Sequence, residues 1–189
     1  MEDGMKADTV LLRPKTDKKC KWMNVLLLLL RMTIVLFTLI AALMMGCNKQ
    51  SISKAVAIVG TTTIYQTYTT KFQQIPAFVF FVIANAMVGF YNLVVLILRR
   101  PFNNWKAFHV AVNLMDLAMF ALLATGAAAA TSIAELGKNG NLNARWSPIC
   151  SHFGQFCIHG GLAILSSFIG ALLLMILNAL SVFTLYNVQ

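Results

Sequence analysis

Four long apolar runs divide the chain, and polar segments of unequal length separate them. We place the runs at residues 24–45, 76–98, 108–132 and 157–185. A helix needs roughly 20 mostly apolar residues, each rising about 1.5 Å, to cross the hydrocarbon core of a bilayer. Each run reaches that length. The pattern therefore predicts an all-α membrane protein, a bundle of four transmembrane helices within residues 23–187.

The polar segments predict the connections. Residues 1–22 are rich in lysine and are expected to form a mostly disordered tail. Residues 46–75 and 133–156 are long enough for two loops on one side, and the short basic segment 99–107 lies on the other. Within 46–75, β-branched and polar residues alternate, which favours a short strand or hairpin.

Composition supports the membrane assignment. Hydrophobic residues make up 59% of the chain and charged residues 11%, whereas soluble domains have roughly 45–50% and 25%. The net charge of +9 comes from basic residues at the ends of the apolar runs. That placement is typical of the positive-inside rule, so we expect both termini in the cytoplasm and no nucleic-acid partner. The first run is too long for a cleavable signal peptide and should remain as an anchor.

Two ionisable residues lie inside apolar runs. Arg31 is in the first and Asp116 in the third, and both runs are predicted to cross in the same direction. Counting about 1.5 Å per residue from Asn24 and Phe108 puts both charges roughly 10–12 Å inside the cytoplasmic boundary. Equal depth on separate helices favours a structural ion pair, because a lone charge there costs on the order of 3 kcal/mol.

Other interpretations of the polar residues remain open. The Arg31 side chain can snorkel to the nearby interface, and Asp116 can serve as a proton-relay or ion site. Asn85, near the middle of the second run, is expected to form an interhelical hydrogen bond. A channel or transporter subunit that uses Asp116 and Asn85 is the alternative function.

Small residues predict where helix backbones approach each other. The outer half of the third run is composed almost entirely of them, and small side chains permit close helix contacts. Packing inside the bundle and contact with another subunit are both compatible with that pattern. The helix-packing positions that we predict are Gly89, Gly126, Ala130, Ser166 and Gly170.

The last loop has the spacing C-x-H-x4-C-x-H, formed by Cys150, His152, Cys157 and His159. A disulfide between the two cysteines, a zinc site and free thiols are all compatible with it. We favour the disulfide because the segment lies on the predicted oxidising side, and Gly154 permits the turn that bonding requires. No nucleophile, phosphate-binding or dinucleotide motif occurs, so we expect no enzymatic activity, cofactor or metal.

The segment K-F-Q-Q-I-P-A-F-V-F-F-V-I-A-N-A-M-V-G-F-Y-N-L (residues 71–93), with Arg31, Asp116 and the Phe156-Cys157 pair, resembles the plant Casparian strip membrane domain proteins and their relatives. M-G-C-N-K-Q (residues 45–50) is similar to the CASP-like branch, in particular its first subgroup. The founding members' E-S-L-P-F-F-T-Q-F signature is replaced here by T-I-Y-Q-T-Y-T-T-K-F, so a role in the Casparian strip itself is not carried over.

The resemblance implies a plasma-membrane protein with a MARVEL-like four-helix bundle, in which Arg31 and Asp116 are the characteristic membrane residues. It also implies homodimers or larger homo-oligomers and hetero-oligomers with related family members, surrounded by membrane lipid. Such assemblies form a scaffold that positions cell-wall-modifying enzymes, and we expect the external loops to contact wall-side proteins.

Overall fold

The computed structural model describes the backbone of residues 2–59, 62–102, 106–141 and 143–187, and side chains within 22–53, 55, 64–99, 107–141 and 143–184. Four helices and one two-stranded sheet make up these residues. In chain order the elements are α1 Glu2–Gly46, β1 Lys49–Val59, β2 Thr62–Lys71, a 3-10 turn Phe72–Gln74, α2 Pro76–Phe102, α3 Lys106–Asn139 and α4 Gly154–Asn187.

The helices form a four-membered bundle in which α1 packs against α2 and α4, and α3 packs against the same two neighbours. Helices α1 and α3 therefore face each other across the bundle axis. Each helix contains a segment long and apolar enough to cross a membrane, at Trp22–Gly46, Pro76–Arg99, Ala107–Asn139 and Gly154–Thr184. The predicted fold class, a four-span helical membrane protein, is confirmed.

The outer surface of the bundle is apolar, as a lipid-facing surface must be. Phe90, Ile97 and Leu114 are among the most exposed hydrophobic side chains, at 70%, 70% and 66% of their full accessibility. Soluble monomers rarely expose contiguous apolar surface on this scale. Exposure of this kind on the four helices agrees with their assignment as membrane spans.

Two buried clusters fill the interior, one at each end of the bundle. The cluster at the end that carries β1 and β2, here called the hairpin end, contains Phe78, Phe81 and Phe156. The cluster at the opposite end, here called the termini end, contains Leu27, Ile34 and residues of α4.

Strands β1 and β2 form an antiparallel hairpin, which confirms the strand expectation for this loop. At about 3.3 Å per residue each strand is roughly 30 Å long, so the hairpin extends well beyond the bundle. A β-bulge interrupts the register between Ala55 and Ala57. One face carries paired hydroxyls, with Ser51 bonded to Thr69 at 2.9 Å.

The base of the hairpin is fastened to the first turn of α4. The Gln50 side-chain oxygen accepts the backbone N–H of Phe156 at 2.8 Å, and the Asn48 amide donates to the Phe156 carbonyl at 2.8 Å. The first N–H groups of a helix have no partner within it. Gln50 therefore acts as a cap supplied by a distant part of the chain.

The helices are longer than the predicted spans. The expectation of a mostly disordered tail at residues 1–22 is wrong for the described residues, because α1 begins at Glu2. Once a span supplies the helical nucleus, each further residue adds one hydrogen bond without a new nucleation cost. The predicted basic loop 99–107 is shortened in the same way, because α2 reaches Phe102 and α3 begins at Lys106, with 103–105 outside the described residues.

Helix α3 also runs past the predicted boundary at residue 132 and ends at Asn139. The good helix formers Ala134, Glu135, Leu136 and Lys138 continue the helix in spite of Gly137. Gly140, with a positive φ of 69°, follows its last residue. A Cβ at Gly140 would lie 2.6 Å from the Trp146 carbonyl oxygen. Glycine is thus required there both for the backbone conformation and for the close approach of the following loop.

That loop folds back on α3 and is joined to α4 by a disulfide. The backbone N–H groups of Ile149 and Cys150 both donate to the Gly137 carbonyl, at 2.8 and 3.1 Å. Cys150 is bonded to Cys157, with their Cα atoms 5.7 Å apart. A straight helix would separate residues seven apart by about 10 Å, and the chain avoids this because α4 begins only at Gly154. The bond excludes both sulfurs as thiolate ligands of zinc.

Replacing Gln50 by alanine should loosen the first turn of α4, because the Phe156 N–H would lose its only cap. Loss of a helix cap costs about 1 kcal/mol. We expect hydrogen exchange at the Phe156 amide to accelerate about fivefold in lipid nanodiscs. Gln73→Ala, in the 3-10 turn, is the control. Equal exchange in the two variants would contradict the capping role.

Candidate functional site

Arg31 lies inside the bundle and forms a two-pronged ion pair with Asp116. The arginine is 3% exposed and the aspartate 0%. Arg31 Nη2 lies 2.6 Å from Asp116 Oδ2, and Nη1 donates to Oδ1 at 3.1 Å. Paired N–H groups of a planar guanidinium match the two oxygens of a carboxylate. The structure therefore brings together the two residues that the sequence placed at equal depth.

The pair spans the long diagonal of the bundle. Arg31 is on α1 and Asp116 on α3, and these helices pack mainly against α2 and α4 rather than against each other. A long side chain is needed to cross the axis, and arginine supplies it. The snorkelling alternative for Arg31 is therefore wrong, since the guanidinium points inward. Leu27 and Ile34, about one turn away on either side, are buried with it.

Helix α2 completes the network with two consecutive polar residues. The Asn92 side-chain oxygen accepts from Arg31 Nη1 at 2.9 Å, and its amide donates to the Val88 carbonyl. The Tyr91 hydroxyl lies 2.9 Å from Asp116 Oδ1. Buried charges are tolerated when the remaining donors and acceptors are also bonded. The four side chains together meet that requirement, and the charges of the pair cancel.

Sequence reasoning missed Tyr91 and Asn92, although a signal was present. Helix α2 begins at Pro76 and runs opposite to α1. Counting about 1.5 Å per residue along α2 places the Tyr91-Asn92 pair roughly 24 Å from its start, near the level of Arg31. The same depth argument that paired Arg31 with Asp116 would have identified both.

The prediction of an interhelical hydrogen bond from Asn85 is wrong. Its amide donates to the Phe81 carbonyl of the same helix at 2.9 Å. Its side-chain oxygen is buried and, among the described residues, has no hydrogen-bond partner. Asn85 lies seven residues from Asn92, about 10 Å along the helix, so it is too far from the guanidinium. Asn92 makes the interhelical bond instead.

The predicted packing residues lie where helices approach closely. The Thr38 side chain of α1 is enclosed between two of them: a Cβ at Gly89 would lie 3.0 Å from Thr38 Oγ1, and one at Gly170 would lie 3.5 Å from its methyl group. Gly126 faces Ala84, with a Cβ distance of 3.1 Å. Ser166 donates to the Phe37 carbonyl at 2.9 Å, and Ala130 is buried in the cluster at the hairpin end.

These contacts fix helix positions and provide little for catalysis. Both Asp116 oxygens are already bonded. In the part of the chain that the structure describes, no group of three His, Cys, Asp or Glu side chains is arranged to hold a metal ion. What the site does chemically is neutralise two buried charges and join three helices.

The fold and this network define a four-span integral membrane protein whose bundle is held by an intramembrane ion pair. The family model of the Casparian strip membrane protein domain matches residues 21–173. The chain belongs to this family.

Curated relatives extend the match over most of the chain. CASP-like protein 1B1 of Oryza sativa subsp. indica is 56% identical over 151 residues, covering 80% of this chain and 77% of the relative. CASP-like protein 1B1 of Arabidopsis thaliana is 40% identical over 183 residues, covering 94% and 90%. The resemblance to the CASP-like branch is confirmed. No solved structure matches the chain.

Breaking the ion pair from one side should be costlier than removing it whole. Asp116→Asn leaves the Arg31 charge buried without its counter-ion, and we expect the free energy of unfolding to fall by about 3–5 kcal/mol. The double variant Arg31→Met/Asp116→Leu removes both charges and should recover most of that loss. Denaturant unfolding in mixed micelles measures each value. A double variant that is no more stable than Asp116→Asn would contradict the pairing.

The close approach of α1 and α2 should make Gly89 sensitive to a single methyl group. Gly89→Ala places its Cβ against Thr38 Oγ1, which is tied to the Ile34 carbonyl at 2.9 Å, so we expect a loss of about 1–3 kcal/mol. Gly161→Ala is the matched control, because a Cβ there meets nothing within 4 Å. Adding Thr38→Ala to Gly89→Ala should restore part of the stability. No rescue would rule out this contact as the cause.

Proposed function

We propose that this protein is a non-enzymatic membrane scaffold, which forms homo-oligomers and hetero-oligomers with related family members in the plasma membrane. Membership of the Casparian strip membrane protein family supports the proposal. Such an assembly organises a membrane domain and holds wall-side proteins in place.

The observation that carries the proposal is the exposed hairpin at one end of the bundle. One of its faces, here called the apolar hairpin face, carries Ile52, Ile64 and Tyr68, with Gln66 between the last two. Ile64 and Tyr68 are 52% and 44% exposed. A two-stranded hairpin alone is at best marginally stable in water. Packing of the hairpin of a second copy against this face would cover it.

The arrangement of charge and sulfur supports an orientation with both termini in the cytoplasm. Basic residues concentrate in residues 1–22 and 99–107, and this bias sets the cytoplasmic side. The Cys150–Cys157 disulfide is at the opposite end, and disulfides persist in oxidising compartments. The hairpin would then face the cell wall.

The transport alternative gains no support from the geometry. Asp116 is fully buried and bonded to Arg31, and Asn85 is bonded within its own helix. A conduit that used Asp116 would first have to break its bonds to Arg31. The ion network instead favours a rigid bundle, which suits a scaffold.

Oligomer formation should depend on the apolar hairpin face. Two differently tagged copies should co-purify and diffuse slowly after photobleaching. The variant Ile64→Ser/Tyr68→Ser should weaken co-purification about fivefold or more, because truncating a central aromatic contact costs 1 kcal/mol or more, and should speed fluorescence recovery.

Tyr65→Ser is the matched control. Tyr65 is on the same strand and is 67% exposed, but it lies on the opposite face of the hairpin. The Tyr65→Ser variant should leave co-purification unchanged. Copies of the wild-type chain that diffuse freely and never co-purify would refute the scaffold proposal, and equal effects of the two changes would refute the role of this face.

A further inference from the structure

An open apolar cavity of about 980 Å³ lies at the hairpin end of the bundle. The start of α2, the end of α3 and the start of α4 enclose it, and the loop that contains the disulfide covers one side. Its size is at the upper limit of the roughly 300–1,000 Å³ typical of ligand pockets. None of the contacts that hold the ion network involves this space.

The α4 wall of the cavity is about as long as one leaflet of a bilayer is thick. On α4 its lining extends from Gly154 to Ile164. Ten residues of helix are about 15 Å long, which is half of a hydrocarbon core roughly 30 Å thick. Phe78 and Ile133 line the same region. An extended hydrocarbon chain that enters from the membrane surface would therefore lie along the cavity for the depth of one leaflet.

Glycine keeps part of this space open. A Cβ at Gly161, which lines the cavity, would meet no atom within 4 Å. The glycines of the helix contacts differ, since a Cβ at Gly89 or Gly126 would press against a neighbouring helix at 3.0 or 3.1 Å. A side chain at Gly161 would therefore enter open space at the cavity and would not press against a neighbouring helix.

The rim of the cavity carries positive charge. Lys138 and Arg145 both line it, and neither forms an ion pair within the described residues. The rim carboxylate, Glu135, already accepts a hydrogen bond from Asn139. Trp146 lies beside these groups and is 56% exposed, as is typical of side chains at a membrane interface.

We propose that the cavity is a binding site for one membrane phospholipid with an anionic headgroup. One acyl chain lies between α2, α3 and α4 against Phe78, Ile133 and Ile164. The headgroup lies at the rim, where Lys138 and Arg145 neutralise its net negative charge. The site is independent of the proposed oligomer, because neither its apolar wall nor its rim includes the apolar hairpin face.

Trp146 provides a direct probe of the site. The chain has three tryptophans, and Trp22→Phe/Trp105→Phe leaves Trp146 as the only one. This variant is placed as a single copy in phosphatidylcholine nanodiscs that contain increasing amounts of brominated phosphatidylglycerol or brominated phosphatidylcholine. Bromine quenches tryptophan fluorescence at short range. We expect the anionic lipid to quench at a roughly fivefold lower mole fraction. One basic group near an anionic headgroup strengthens lipid binding by about that factor.

Two variants separate the headgroup contact from the chain contact. Lys138→Ala/Arg145→Ala removes the rim charge and should abolish the preference for the anionic lipid. Gly161→Phe fills the cavity and should also abolish it, and the free space at this position allows the bundle to fold. Leu162→Phe is the control, because Leu162 is 49% exposed and is not part of the lining. It should keep the preference.

Several outcomes would overturn the proposal. Equal quenching by the two lipids in the parent protein would exclude a headgroup site. A preference that survives in Lys138→Ala/Arg145→Ala or in Gly161→Phe would place the lipid elsewhere. Quenching that disappears in nanodiscs holding two copies would mean that a second chain occupies the cavity. Normal quenching would support the lipid site whether the protein is an oligomer or a monomer. The lipid site and the proposed oligomer can therefore fail separately.

Discussion

A charge cannot remain unpaired in hydrocarbon, and this constraint governs the bundle. Arg31 must find a counter-charge, and Asp116 is the buried acidic residue within the described spans. Because the two lie on helices at opposite corners, their bond passes through the bundle axis. Joining them fixes the relative height and rotation of α1 and α3, which otherwise make few direct contacts. Tyr91 and Asn92 bring α2 into the same arrangement.

The close helix contacts depend on that arrangement. Thr38 lies two turns beyond Arg31 on α1, and it is enclosed by Gly89 of α2 and Gly170 of α4. In lipid there is little hydrophobic gain from bringing helices together, so association relies on close packing and internal hydrogen bonds. The ion network sets the register, and the glycines allow the backbones to approach at that register. Neither feature alone would specify one bundle.

At the hairpin end the chain extends beyond the apolar spans, and different interactions stabilise it. Hydrogen bonds from Asn48 and Gln50 to Phe156, together with the Cys150–Cys157 disulfide, join the extramembrane segments to α4. These constraints hold the loop over the ends of α3 and α4. The cavity lies between this loop and the adjoining ends of α2, α3 and α4.

The sequence by itself determined the features that depend on position along one dimension. Hydropathy located four spans, the count of residues from each span boundary paired Arg31 with Asp116, and cysteine spacing suggested the disulfide. The sequence did not determine how each helix is rotated about its own axis. Asn85 and Asn92 are equally plausible by type, and only the packing of α2 against α1 turns Asn92 towards the guanidinium. The diagonal placement of α1 and α3, the capping of α4 by Gln50 and the cavity beside Gly161 were likewise decided by the tertiary structure, because each arises from distant segments meeting in three dimensions.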